Sequence, residues 1–219
     1  MRIGSIGAGF QARALARRAI AAGHAVMLSN SRGPRTMISV PSGTGAAIGT
    51  VEEAVQFGEM IFLALPFAER SSLVRLPFGQ KILLDANNYY PERDDAIPEL
   101  DERRSTTSGM IAALLPGARL VKAFNAILAV DLEPGAEPLS AGRRRALPIA
   151  GEDAAAKQAV AALHESLGFE ALDTGGLAES WRFERGKPAY CAALDRTGLI
   201  AALAAARRDE ELPHGSWRR

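Results

Sequence analysis

Gly7-Ala8-Gly9-Phe10-Gln11-Ala12 carries the clearest chemical signal in this chain of 219 residues. In a G-x-G-x-x-A turn the first glycine permits a tight reversal. The second leaves the backbone open to a pyrophosphate, and the small last residue lets the next helix pack close to the preceding strand. A helix starting there offers free N–H groups and a partial positive charge to phosphates. Such a glycine pattern arises often by chance, and its context gives it meaning. An apolar strand, Met1-Arg2-Ile3-Gly4-Ser5-Ile6, runs into it, and an alanine-rich helix over 13–22 leaves it and stops at Gly23. Gly7, Ala8, Gly9, Phe10, Gln11 and Ala12 are therefore expected to hold the pyrophosphate of a dinucleotide.

The next segment indicates which dinucleotide. After the apolar run 25–29, an NAD-binding chain places Asp or Glu against the ribose 2′-hydroxyl. Here the sequence is Ser29-Asn30-Ser31-Arg32-Gly33-Pro34-Arg35, with two hydroxyls, an amide and two guanidiniums but no acid. A carboxylate repels a 2′-phosphate, whereas arginine pairs with one through charge-assisted hydrogen bonds. The segment predicts NADP(H), with Ser31 and Arg32 as main contacts, Ser29 and Asn30 beside them and Arg35 as a third anchor.

In an open α/β sheet, ligands bind beyond the carboxyl ends of the strands. That places Leu65-Pro66, Asn87-Asn88 and Asn125 along one cleft with the glycine turn. Leu65 and Pro66 are expected to run beside the cofactor. Asn87, Asn88 and Asn125 offer uncharged donors and acceptors suited to a carboxamide or a neutral ring. Lys122 reads as a charged contact or as a strand lysine that snorkels to solvent. A dehydrogenase that moves a proton with the hydride usually needs a histidine or lysine. The three histidines, His24, His164 and His214, all read as surface residues away from the cleft. Direct hydride transfer between two bound rings is the expected mode, with the cofactor supplying the chemistry and the protein the orientation.

These residues need a sheet to position them. Apolar runs at 46–50, 60–65, 81–85 and 119–124 alternate with helical stretches, of which 51–55 and 105–115 are the clearest. That alternation predicts a doubly wound, mostly parallel Rossmann sheet. Further on, 144–150 reads as a strand that Pro148 confines to an edge, 153–167 as a helix and 169–173 as a last strand. From Leu177 helices are expected to dominate, with 194–207 the strongest. The predicted organisation is a dinucleotide-binding domain over 1–176 and a small helical C-terminal segment over 177–219. Glu133 to Arg145 reads as a mobile loop, and the tail with Trp217 as frayed or held by a partner.

Composition narrows the function. Hydrophobic residues make up 47% and charged residues 23%, with a net charge of +1. That is ordinary for a globular enzyme and gives no electrostatic reason to expect nucleic acid or an anionic membrane. The single cysteine, Cys191, allows no internal disulfide and suits the cytoplasm. No run approaches the roughly 18 apolar residues that span a bilayer, and so few histidines leave no metal site in view.

The chain resembles the F420-dependent NADP oxidoreductase family. The resemblance rests on Ile3-Gly4-Ser5-Ile6-Gly7-Ala8-Gly9, Ser29-Asn30-Ser31-Arg32, Leu65-Pro66, Asp85-Ala86-Asn87-Asn88-Tyr89-Tyr90-Pro91 and Val121-Lys122-Ala123-Phe124-Asn125. Gly151-Glu152-Asp153 and Asp173-Thr174-Gly175-Gly176-Leu177 fit as well. It implies an NADP-binding Rossmann domain that passes hydride to a small acceptor, with F420 or a flavin as co-substrate. Founding members carry a histidine after the sixth strand, where this chain has Phe124-Asn125. A homodimer is expected. Two alternatives stand beside the enzyme: a non-catalytic NADP(H) sensor, whose cleft Tyr89, Tyr90 or Trp181 would fill, and an imine reductase of pyrroline-carboxylate reductase type.

Overall fold

Short apolar strands buried on both faces require helices on both sides of the sheet. The computed structural model, which describes residues 1–135, 139, 142–213, 215 and 216, has that arrangement. Its strands are β1 (Arg2–Ile6), β2 (Ala25–Ser29), β3 (Ala47–Gly49), β4 (Met60–Leu63), β5 (Ile82–Asp85), β6 (Arg119–Lys122), β7 (Ala146–Gly151) and β8 (Glu170–Asp173). They form one sheet in the order β3-β2-β1-β4-β5-β6-β7-β8. The pairings from β3 to β6 are parallel, β7 runs antiparallel to β6, and β8 is parallel to β7. Chain order reverses between β1 and β4, which opens a crevice at their carboxyl ends.

The helices are α1 (Phe10–Ala21), α2 (Val40–Thr44), α3 (Val51–Phe57), α4 (Pro91–Asp94), α5 (Pro98–Asp101), α6 (Thr107–Leu114), α7 (Ala129–Leu132), α8 (Ala154–Ser166) and α9 (Arg196–Ala205). Alternate strand residues feed the two faces. Ile3, Leu28, Phe62, Leu84, Val121 and Ile149 pack under α1 and α8. Ile61, Leu63, Leu83 and Leu120 pack with Val55 of α3 and Ile111 of α6. Side-chain caps fix where four helices start. Thr50 forms a capping box with Glu53, and Thr106, Asp153 and Asp195 each accept a first-turn N–H.

Several expectations change. Helix α1 begins at Phe10 rather than Arg13, so the glycine turn abuts its first residue. Strand β7 lies inside the sheet, but its β6 partners are only Gly151 and Ala150. Pro148 pairs with Leu172 on the other side, so its missing N–H falls beyond the β6 ladder. After Leu177 the chain forms a 3-10 helix over Leu177–Phe183 and then α9, joined by irregular backbone. This part shares a core with the sheet: Phe183, Tyr190 and Leu199 pack on Ala126, Ala146 and Ala150. Part of the loop expected over 133–145, together with His214 and Trp217, lies outside the described residues. Among the described residues no helix is long and apolar enough to cross a membrane.

Candidate active site

The glycine turn is held by its neighbours' backbone. Gly7 N–H donates to Ser29 O at 3.0 Å, and Ser5 Oγ donates to Gly7 O at 2.8 Å. Gly7 has φ +113°, and a Cβ there would stand 2.1 Å from Ala64 O, so no other residue fits beside the end of β4. Gly9 caps α1 without a side-chain bond, and a Cβ built on it meets nothing within 4 Å. Open space in front of a helix N-terminus of twelve residues, with no acid in its first turn, fits a pyrophosphate.

Ala12 is buried at the strand–helix contact, whereas Phe10 projects outward, 88% exposed. Gln11 turns inward, and its Nε2 donates to Phe124 O at 2.8 Å and Ile127 O at 3.1 Å. Its side chain therefore ties the turn to the loop after β6. Arg13, which the sequence reading passed over, donates from Nε to Ala8 O at 2.8 Å.

The polar loop after β2 divides into two roles. Ser29, expected beside the 2′-phosphate, is fully buried and its Oγ donates to Ser5 O at 2.6 Å, so its side chain braces the turn. Asn30 organises the loop, accepting from Arg32 N–H at 3.0 Å and donating to Thr36 Oγ1 at 3.0 Å. Ser31, Arg32 and Arg35 are exposed. They stand beside the turn with no side-chain partner among the described residues.

A cleft of about 340 Å³ adjoins Gly9 and Gln11 and is lined by Leu65, Pro66, Asn87, Asn88 and Asn125. The structure thus brings all five of these predicted residues together. Their amides form a network. Asn87 Oδ1 accepts Leu65 N–H at 3.1 Å. Asn88 Nδ2 donates to Asn125 O at 3.0 Å, and Asn125 Nδ2 donates to Asn88 Oδ1 at 3.2 Å and to Phe183 O at 3.0 Å. Asn88 is an internal strut with its amide engaged at both ends. Asn87 Nδ2 and Asn125 Oδ1 are buried without a partner.

Lys122 neither snorkels nor enters the cleft. It is fully buried and donates to Asn87 O and Thr107 Oγ1, each at 2.5 Å. Asp85 lies 3.5 Å and Glu184 3.7 Å from its Nζ. Burial of these charges is tolerated because they are paired and hydrogen-bonded, and the cluster fixes the Asn87 backbone from below.

The opposite wall is aromatic. Tyr90 and Tyr190 hydroxyls meet at 2.8 Å, and the Arg93 and Arg185 guanidiniums lie over the Tyr90 ring at 4.7 and 4.9 Å. Burial opposes ionisation of Asp94, but the Arg93 guanidinium and the N–H groups of Tyr90 and Ala68 hold its pKa below the usual carboxylate value. Burial raises the Tyr190 pKa and pushes the Cys191 thiol up to about 12, so neither ionises near neutrality.

Among the described residues no histidine lines the cleft. His24 sits half-buried at the amino end of the strands, its Nε2 2.8 Å from Ser166 Oγ. His164 is not a surface residue: it is fully buried, stacks on Phe124 at 4.1 Å, and burial pushes its pKa down to about 4. Its Nδ1 lies 2.8 Å from Val160 O, a pure acceptor, so the proton is on Nδ1. Among the described residues no group of His, Cys, Asp and Glu is placed to hold a metal ion.

Residues 2–89 match the family described as NADP oxidoreductase, coenzyme F420-dependent. That match spans the N-terminal part of the chain, about two fifths of its length. A solved structure of a hypothetical protein, SMa0349 from Sinorhizobium meliloti, is 30% identical with a TM-score of 0.76, covering 90% of this chain and 95% of that one. An Arthrobacter sp. fb24 protein provisionally assigned as an F420-dependent NADP-reductase shares the fold at 20% identity and a TM-score of 0.64, covering 81% of this chain and 86% of that one. Metalloreductase STEAP3 of Rattus norvegicus is 34% identical over 185 residues, 84% of this chain. The chain spans only 36% of the length of that relative.

Proposed function

We propose that the chain is an NADP(H)-dependent oxidoreductase that passes hydride between the nicotinamide and a small, flat, flavin-like acceptor such as F420 or a flavin. The observation that carries this is the joining of two features in one groove. Open helix N–H groups at Gly9 continue into a cleft whose floor of Leu65, Asn87 and Asn125 carries neither an acid nor a histidine. The N-terminus of α1 binds the pyrophosphate, and the unpartnered side chains of Ser31, Arg32 and Arg35 take the 2′-phosphate. Leu65 and Pro66 shield the ring from water, and Asn87 and Asn125 orient it. When bound, the dinucleotide supplies the hydride. The protein's part is to hold the two partners in register, a contribution of several orders of magnitude in rate for well-aligned reactants.

The cleft stays open. Tyr89 and Trp181 face a different cavity, and Tyr90 forms one wall of the cleft, its hydroxyl against that of Tyr190; a cleft walled but not filled favours an enzyme over a sensor. Reoxidation of NADPH with F420, FMN, FAD, ferric chelates and quinones tests the reading. Saturable turnover with at least one of them is expected, and tight NADPH binding without turnover on any would return the sensor.

A further inference from the structure

Asn87 and Asn125 stand on one cleft floor, and each has a single amide atom without a partner. The assignment of those atoms follows from their neighbours. Leu65 N–H requires an acceptor and so fixes Oδ1 of Asn87 toward it, leaving Nδ2 free. Phe183 O requires a donor and so fixes Nδ2 of Asn125 toward it, leaving Oδ1 free. Neither free atom reaches bulk water, and a buried polar group without a partner is a destabilising feature that a native fold retains only for a reason.

The two free atoms are a donor and an acceptor. A carboxylate or ketone would satisfy the donor alone, and an ammonium would satisfy the acceptor alone. A primary amide satisfies both, through two different atoms. The cations beside this cleft already have partners, Arg93 in Asp94 and Asn88 O and Arg185 in Glu92, so no local charge asks for an ionised ligand.

We infer that Asn87 and Asn125 bind a primary carboxamide, with Asn87 Nδ2 donating to its carbonyl oxygen and Asn125 Oδ1 accepting from its NH2. This rests on the dinucleotide reading above, and the carboxamide is the one on the nicotinamide ring. The pair therefore sets which way the ring lies in the cleft, with Asn125 held by Asn88 and Asn87 by Leu65 N–H.

Calorimetry on the full chain with NADP⁺, its 3-acetylpyridine analogue and 2′,5′-ADP tests this without reference to turnover. Asn87→Asp keeps the acceptor for Leu65 N–H and replaces the free donor by an oxygen. It is expected to weaken NADP⁺ by about tenfold or more, the scale of a lost hydrogen bond in a dry site, and to leave 2′,5′-ADP unchanged. The acetylpyridine analogue, with a methyl in place of the NH2, is expected to bind the unaltered protein by a similar factor more weakly than NADP⁺. It reads the Asn125 contact without any substitution. Equal affinity for the two dinucleotides, or an Asn87→Asp variant that loses NADP⁺ and 2′,5′-ADP in the same proportion, would overturn the inference alone. Failure of the unaltered protein to bind 2′,5′-ADP would overturn the dinucleotide reading beneath it.

Discussion

Two cavities lie on either side of the Tyr89-Tyr90 step, and they differ in what they leave undone. The larger, about 480 Å³, is lined by Glu92, Asp101, Arg103, Arg185, Lys187 and Arg208 among others. Its charges already have partners. Arg185 pairs with Glu92 at 2.8 Å, Asp101 accepts from Tyr89 at 2.9 Å, and Arg208 donates to Arg103 O at 3.1 Å. Lys187 donates to the carbonyls of Arg207, Arg208 and Glu210, strapping the segment after α9 in place. The smaller cleft is nearly neutral yet holds two orphaned amide atoms and an uncapped helix start. Volume would choose the first cavity. Unmet hydrogen-bonding capacity chooses the second, and that is the better guide, because binding energy comes from groups that the fold has left free to exchange partners.

The comparison breaks most decisively at Gly9. Gly9→Val puts a branched side chain into the space before α1, where a Cβ meets nothing within 4 Å, so NADP⁺ affinity is expected to fall by about a hundredfold or more with little change in the melting curve. Retained affinity in calorimetry would move the phosphates elsewhere.

The cleft is also backed by a dry titratable ring, which the larger cavity is not. His164 holds a pKa of about 4 in the fold against roughly 6.5 in the unfolded chain. The unfolded state therefore binds the extra proton, full stability is present above about pH 6.5, and up to about 3 kcal/mol is lost as pH falls toward 4. Urea midpoints at pH 7 and pH 4.5 measure this. His164→Leu is expected to flatten the difference, and a variant with the parent's acid sensitivity would assign that loss to other groups.

A smaller effect is expected at Arg32. Arg32→Ala should weaken NADPH by about 1.5–3 kcal/mol, the range for a hydrogen bond to a charged group, and leave NADH where it was. Equal affinity of the unaltered protein for both nucleotides would end this assignment. Least of all is expected from Arg208→Ala in the larger cavity, where NADPH affinity should stay within about twofold because that guanidinium meets only its own chain. A tenfold loss would show that the larger cavity belongs to the nucleotide site after all.

Local chemistry made the glycine turn and the alternation of strands and helices readable in the sequence. Each depends on residues within a few positions of one another. Long-range partners were harder. Ser29 stands at a strand end where both Leu28 and Ser29 are buried, so alternation alone pointed its hydroxyl the wrong way. Lys122 had a legible signal that local reading passes over. Strands β5 and β6 end in opposite charges, and Asp85 and Lys122 are register partners. His164 looked like an outer-helix residue because its ring partner Phe124 is forty positions away. Tyr190 reaches Tyr90 across a hundred residues, and nothing near either tyrosine foretells the other.

The arrangement around Gly7 has an evolutionary reading. A Cβ at Gly4 would sit 1.9 Å from Ala54 O, and one at Gly7 sits nearly as close to Ala64 O, so backbone fills the space where variation would have to go. The capacity to hold a dinucleotide is thereby frozen into the chain path. On the proposed reading, discrimination between dinucleotides falls to Ser31, Arg32 and Arg35, whose side chains have no partner among the described residues. Substitution at those exposed positions is then expected to change which dinucleotide is preferred at little cost in stability.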